Sequence, residues 1–359
     1  MSTDSTQHLL AIASEVMAVE EFSVLSQPQG AVRFQGRLLA APRASHAAIS
    51  ERLRPLGYIA MLERRNGRDI ATFLPYAPVT YRPRPRLALA LLLLTILSTL
   101  FVGTTMVEPD LPTALHRPLS GLPFAISLLT ALGVHEMSHY LVARRYGVQV
   151  SLPYFIPMPL GPFGTMGAFI SMKSPPLNKR HLLRIGLAGP LSGLLVALVV
   201  TVYGLSQSKV GIMPAGVPFY REGNSIAYML LKYWVFGLWL PQGNVDVNLS
   251  PVAFAGWAGL LVTGLNLIPA AQLDGGHIAY ALLGRRARLL TIVLGMVLLV
   301  MGLLWPGWLL WALIILYLGA RREVVLDEIT PLTVQERLVA VLMLLVFCLL
   351  FVPVPLTIG

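Results

Sequence analysis

Charge is the scarcest property of this sequence. Lys, Arg, Asp and Glu make up 12% of its 359 residues, apolar types make up 55%, and the mean hydropathy is +0.69. A soluble domain carries about 25% charged residues. Too few polar groups remain to coat a globular surface, so lipid has to solvate much of the chain. Cysteine is nearly absent too: Cys348 stands alone, which excludes an intrachain disulfide and a cysteine-rich metal knuckle. The start, MSTDSTQHLL, has no basic cluster, and no long apolar run comes before residue 85, so no secretory signal is expected. A basic cluster interleaved with aromatics is missing as well, which argues against nucleic acid as a partner. The net charge of +10 therefore reads as a signal of membrane orientation.

What the chain has instead is apolar runs, at 87–107, 119–142, 183–205, 249–268, 288–305, 307–320 and 337–353. A crossing takes about 20 residues, so these predict a polytopic all-α membrane bundle of about six or seven transmembrane helices. The last three runs are short or weakly separated, and Pro306-Gly307 reads either as a turn between two helices or as a kink in one. Arg82, Arg84 and Arg86 precede the first run, and Arg144 and Arg145 follow the second. Lys173, Lys179, Arg180 and Arg184 precede the third, Arg285, Arg286 and Arg288 the fifth, and Arg321 and Arg322 follow the sixth. If every run crosses, all these clusters fall on one side, which the positive-inside rule assigns to the cytoplasm. Two stretches break the pattern. Residues 148–172 are apolar but interrupted by Pro and Gly, and predict a re-entrant, β-like hairpin or loop satisfied by protein or a wet cavity. Residues 206–248 are rich in aromatics and predict an outer segment with a helix lying at the interface.

Residues 1–80 differ in composition and read as a small soluble α+β domain on the cytoplasmic side. TQHLLAIASEVM has helical spacing, FSVLSQ and AVRFQGRLLAA alternate like strands, and YIAMLERR and RDIATFLPY flank Asn66-Gly67, a two-residue hairpin signal. ASHAAISERLRPLG predicts a second helix with Ser45 as N-cap and Pro55-Leu56-Gly57 as its stop. His8 and His46 read as surface residues of these helices. Residues 81–86 are the last part of a Pro/Arg linker, and 87–359 form the membrane domain.

Chemistry concentrates in LGVHEMSHYLVARRYG. His135 and His139 lie at i and i+4, on one helix face, so both imidazoles reach one cation, and zinc suits them. Glu136 projects nearby, free to act as a base on water. In a soluble protein the same letters also occur as a hydrogen-bonded histidine pair. Inside a transmembrane run three polar side chains are expensive, which favours the metal. A further protein ligand is needed. Asp274, in GLNLIPAAQLDGGHIAYALL, is the best carboxylate. On its own the D-G dipeptide reads as a turn, but beside two histidines short of a ligand it reads as the third. His277 is either a neighbour of the site or a polar residue at a helix start.

H-E-M-S-H at 135–139 with N-L-I-P-A-A-Q-L-D-G at 266–275 resembles the site-2 protease family of intramembrane zinc metalloproteases (peptidase family M50), whose pattern is H-E-x-x-H followed by N-x-x-P-x4-D-G in a later helix. The match covers a catalytic core of about 120–285. The resemblance implies one Zn2+ per chain held by His135, His139 and Asp274, Glu136 as general base, and Asn266 bonding the reacting substrate. FGTMGAFI resembles the family's G-x-x-G segment ahead of the third core helix, thought to receive an extended substrate, which makes Gly161, Gly164 and Gly167 substrate-binding candidates. AGPLSG at 188–193 resembles its small-residue packing motif. No PDZ-like insertion is apparent, and the layout resembles the branch with a soluble N-terminal extension. The implied function is hydrolysis of peptide bonds within or near transmembrane segments of membrane proteins, with the N-terminal domain a candidate for a partner or for self-association. A polytopic metal transporter, or an inactive relative that only binds membrane partners, is the competing reading.

Overall fold

The computed structural model describes residues 3–76, 81–212, 220–320 and 323–358. The N-terminal unit comprises α1 (Thr3–Val16), β1 (Met17–Val24), β2 (Val32–Leu38), α2 (Pro42–Leu53), β3 (Tyr58–Arg65) and β4 (Arg68–Pro75). Its antiparallel sheet has the order β1-β2-β4-β3. Alternation in β2 sends Val32 and Phe34 inward, where they meet Phe73 of β4 and the apolar faces of α1 and α2. Phe34 and Phe73 lie 4.9 Å apart, centroid to centroid. Asn66 and Gly67 both take positive φ, 50° and 80°, and join β3 to β4 with Arg65 opposite Arg68.

Two expectations for this unit need correction. Helix α2 begins at Pro42, three residues before Ser45, because proline is pre-set for the first helical turn. Ser45 is buried instead, and its hydroxyl bonds Ala40 O. His46 is not a surface residue either: it is 4% exposed. Its Nε2 donates to Ala60 O on β3 at 3.1 Å, and Nδ1 accepts from the Ser50 hydroxyl at 3.2 Å. A neutral imidazole with both nitrogens satisfied is a good core group, which helical spacing alone does not reveal.

The rest of the chain is α3 (Pro85–Val107), α4 (Leu111–His116), α5 (Leu122–Arg145), β5 (Tyr154–Pro157), β6 (Thr165–Phe169), α6 (Lys179–Ser206), β7 (Lys209–Ile212), β8 (Tyr220–Glu222), α7 (Ile226–Phe236), β9 (Val245–Asn248), α8 (Pro251–Asn266), α9 (Asp274–Leu283), α10 (Ala287–Met301), α11 (Gly307–Gly319), α12 (Val334–Leu350) and β10 (Leu356–Ile358). Three helices are long and apolar enough to cross a bilayer: α3, the 118–145 stretch ending in α5, and α6. Helix α8 is shorter and buried almost all round, and packs between α5 and α6. Gly256 makes this possible, since a methyl there would stand 2.5 Å from Thr201 N on α6. Pro306-Gly307 separates α10 from α11 and so is a turn between helices. β5 and β6 pair antiparallel. In the 206–248 stretch, part of which (213–219) is outside the described residues, α7 buries Lys232 between Glu222 at 3.1 Å and Asp246 at 2.8 Å. Arg321 and Arg322 also fall outside the described residues.

The two parts are joined by backbone. Leu62 of β3 donates to Leu326 O at 2.7 Å and accepts from Glu328 N at 2.9 Å. Residues 326–328 thus run parallel along the edge of the N-terminal sheet, while Asp327 N bonds Leu177 O just ahead of α6.

Burial lowers the pKa of His46 from the usual 6.5; the Ala60 bond and the Asp327 carboxylate pull it up but are outweighed. The neutral form is therefore the folded one, and its contribution to stability is whole above pH 6.5 and is lost as the pH falls below it. Amide exchange in α2 and β3 of the full-length protein, corrected for intrinsic rates, is expected to accelerate over the window below pH 6.5, and this acceleration should vanish in His46→Gln. Protection that stays flat in the wild type across that window would overturn the assignment.

Candidate metal centre

Helix α5 carries His135, Glu136 and His139, all three buried in its C-terminal half. Asp274 is the first residue of α9, and Asn266 the last of α8. The turn between them includes Ala271 at φ 54°, a left-handed conformation that non-glycine residues rarely adopt. Its amide is held by the Thr291 hydroxyl at 3.0 Å. At Gly275 a methyl would stand 2.0 Å from Leu267 O, so the D-G-G run lets α9 start tightly against the turn.

The fold brings the distant residues together. His135 Nε2 is 3.2 Å from Asp274 Oδ2, His139 Nε2 is 3.1 Å from Asp274 Oδ1, and the two Nε2 atoms are 3.2 Å apart. Asn266 Nδ2 lies 3.4 Å from His135 Nε2. Tetrahedral ligands on bonds of roughly 2.0–2.1 Å stand roughly 3.3–3.4 Å from one another, so this set fits a zinc-sized ion. His139 Nδ1 donates to Ile185 O at 2.7 Å, which leaves the Nε2 lone pair facing His135 and Asp274. Helix α6 supplies the back wall: a methyl on Gly189 would stand 2.1 Å from His139 Nε2, and one on Gly193 would stand 2.8 Å from His135 Nδ1. Glu136 makes no ion pair among the described residues and borders a cavity of about 750 Å³ together with His139, Asn266 and Asp274.

The glycine segment behaves unevenly. Gly164 is pressed onto α3, where a methyl would stand 2.7 Å from Ser98 O, and the Ser98 hydroxyl bonds Gly164 O at 2.5 Å. Gly161 faces Met158. Gly167 alone of the three has open space around it. The cavity itself is bordered by the residues that follow, Ala168 to Lys173. One participant escaped sequence reading. His277 Nδ1 lies 2.6 Å from Glu323 Oε1, and both line the cavity. Nothing in the local sequence pairs residues so far apart; the one signal is His277 itself, three residues past Asp274.

The helices and this buried cluster define a helical membrane protein with a candidate His-His-carboxylate metal centre. The chain belongs to peptidase family M50, whose model matches residues 123–304. It is 30% identical over 294 residues to "Probable zinc metalloprotease EGY2, chloroplastic" of Arabidopsis thaliana, a match covering 77% of this chain and 51% of that protein. The Oryza sativa subsp. indica protein of the same name is 26% identical over 305 residues, covering 79% and 55%. "Probable zinc metalloprotease EGY3, chloroplastic" of Oryza sativa subsp. indica is 34% identical over 245 residues, covering 64% and 41%. The chain spans about half the length of these relatives. No solved structure gives a significant match.

Gly189→Ala is expected to lower the affinity for a divalent metal by roughly 10–100-fold, because the methyl displaces a ligand imidazole. Gly133→Ala on α5, where there is room, should leave it intact. Elemental analysis of the purified proteins reads the difference, and equal metal content would overturn the cradle.

Proposed function

We propose that this protein is an intramembrane zinc metalloprotease that hydrolyses peptide bonds within or near the transmembrane segments of membrane proteins. The observation that carries this reading is the convergence of His135, His139 and Asp274 within bonding reach of one another, with buried Glu136 on the same cavity. Membership of a peptidase family favours hydrolysis over metal carriage. His135, His139 and Asp274 would hold Zn2+, which when bound supplies the Lewis acidity that polarises a carbonyl and acidifies water. The Glu136 carboxylate takes the proton from the attacking water and returns it to the leaving amine. Asn266 Nδ2 donates to the carbonyl oxygen as charge builds on it. Buried apolar helices around the site keep bulk solvent out, and the cavity of about 750 Å³ admits water and an unwound segment. The β5–β6 hairpin offers an edge to which an extended substrate adds as a strand, with Gly167 leaving room on that side.

On this reading about six or seven helices cross the bilayer. The shorter apolar helices α8, α10, α11 and α12 complete the bundle around the core of about 120–285. The N-terminal unit of residues 1–80 is a soluble domain on the cytoplasmic side, followed by the linker at 81–86; its exposed faces are available to a partner or a second copy. The arginines at 82, 84, 86, 144, 145, 285, 286 and 288 support that orientation.

Glu136→Gln should retain zinc while cleavage of single-span proteins in detergent falls by roughly 10²–10⁴-fold or more. Asn266→Ala should lower kcat by about 10²–10³-fold with zinc retained. Cleavage by Glu136→Gln at the wild-type rate, or the lack of zinc in carefully purified wild type, would sink the reading.

A further inference from the structure

A second cavity, of about 520 Å³, lies where the N-terminal sheet meets the start of α10 and the 324–328 segment. It shares Gln272 and Glu323 with the catalytic cavity, so the two spaces are neighbours. Three carboxylates border it, and each is already engaged. Glu63 pairs with Arg65 at 2.9 Å and with Arg285. Glu328 takes Arg285 at 3.4 Å and the Tyr280 hydroxyl at 3.4 Å. Glu323 faces His277 on the other side.

Two cations are left over. Arg33, from β2, and Arg288, from α10, both line the cavity, and among the described residues neither has an ion-pair partner. Arg33 Nε is moreover buried without any hydrogen-bond acceptor. A buried donor left unmade is costly, and a guanidinium fork matches the oxygens of a phosphate. We propose that this junction cavity binds a phosphate group, gripped from one side by Arg33 of the N-terminal unit and from the other by Arg288 of the helical part. The phosphate belongs either to a small soluble ester or to a phospholipid headgroup. Leu289, Ile292 and Val293, exposed in the turns directly after Arg288, put acyl chains within reach of the same arginine. A ligand held by both arginines would tie the N-terminal sheet to the wall of the catalytic cavity at Gln272 and Glu323.

The test uses the full-length protein and reads binding, so it does not depend on proteolysis. Glycerol 3-phosphate is titrated calorimetrically into protein in maltoside micelles. In a second arm, phosphatidylglycerol is titrated into the protein in the same phosphate-free maltoside micelles, and the rise in melting temperature is read beside lipid retained by unheated samples in native mass spectrometry. The wild type should respond saturably in at least one arm. Arg33→Gln and Arg288→Gln should each weaken the response by at least about tenfold, the loss of one charge-assisted hydrogen bond. Arg43→Gln, an exposed arginine of α2, should match the wild type. Saturation by glycerol 3-phosphate assigns a soluble ester, and a response to phosphatidylglycerol alone assigns a headgroup; either supports the site. A wild type silent in both arms overturns it whatever the variants do, as does unaltered binding in folded Arg33→Gln and Arg288→Gln.

Discussion

The fold is organised around one electrostatic constraint: ionisable groups buried among apolar helices must face one another. An isolated buried charge costs far more than any single packing contact returns, so His135, Glu136, His139 and Asp274 are tolerable only as a cluster. Separations of 3.1–3.2 Å among His135, His139 and Asp274 bring α5 and α9 together, with α6 behind them. The imidazoles of His135 and His139 project from α5, and they reach Asp274 because α6 presents glycine at 189 and 193, where a side chain would take their place.

The same need for close approach explains the small residues elsewhere. In lipid, apolar side chains gain little by leaving their surroundings, so helices associate through backbone proximity and buried polar pairs. Gly256 brings α8 against Thr201, and Gly164 brings the hairpin against α3. Asn266, at the end of α8, is thereby delivered to His135. A second buried cluster, Lys232 with Glu222 and Asp246, obeys the same rule in the 206–248 stretch: α7 contributes the cation, and β8 and β9 contribute the acids.

What could be read from the sequence follows from how local each signal is. The histidine pair sits one helical turn apart, so its geometry is written in the spacing. Asn66-Gly67 carries its own backbone preference, and the turn appeared where that preference put it. That Asp274 lies beside the two histidines was legible only by elimination and by resemblance, since nothing local marks it out from a turn aspartate. His46 misled because its neutral, doubly bonded state depends on Ala60, which is brought to it by a different strand. Lys232 carries no local sign of its partners, because the fold brings Glu222 and Asp246 beside it from other elements. Glu323 had no signal at all, as its partner is on α9.

The union of the N-terminal unit with the helices was the least legible feature, and for an instructive reason. Residues 326–328 dock on β3 and on the segment before α6 through main-chain hydrogen bonds, which every sequence can make. Asp327 holds the segment's shape, accepting from the amides of Ile329 and Thr330 and from the Thr330 hydroxyl. That segment begins just after Glu323, whose carboxylate reaches His277, three residues from Asp274. Side chains at the same junction reach the helix that begins with Asp274 and the turn after it: Glu323 meets His277, Glu328 meets the Tyr280 hydroxyl, and Arg285 lies between Glu63 and Glu328. Main-chain bonds any sequence can make set the docking, and these side-chain pairs, far apart in the chain, give it its specificity.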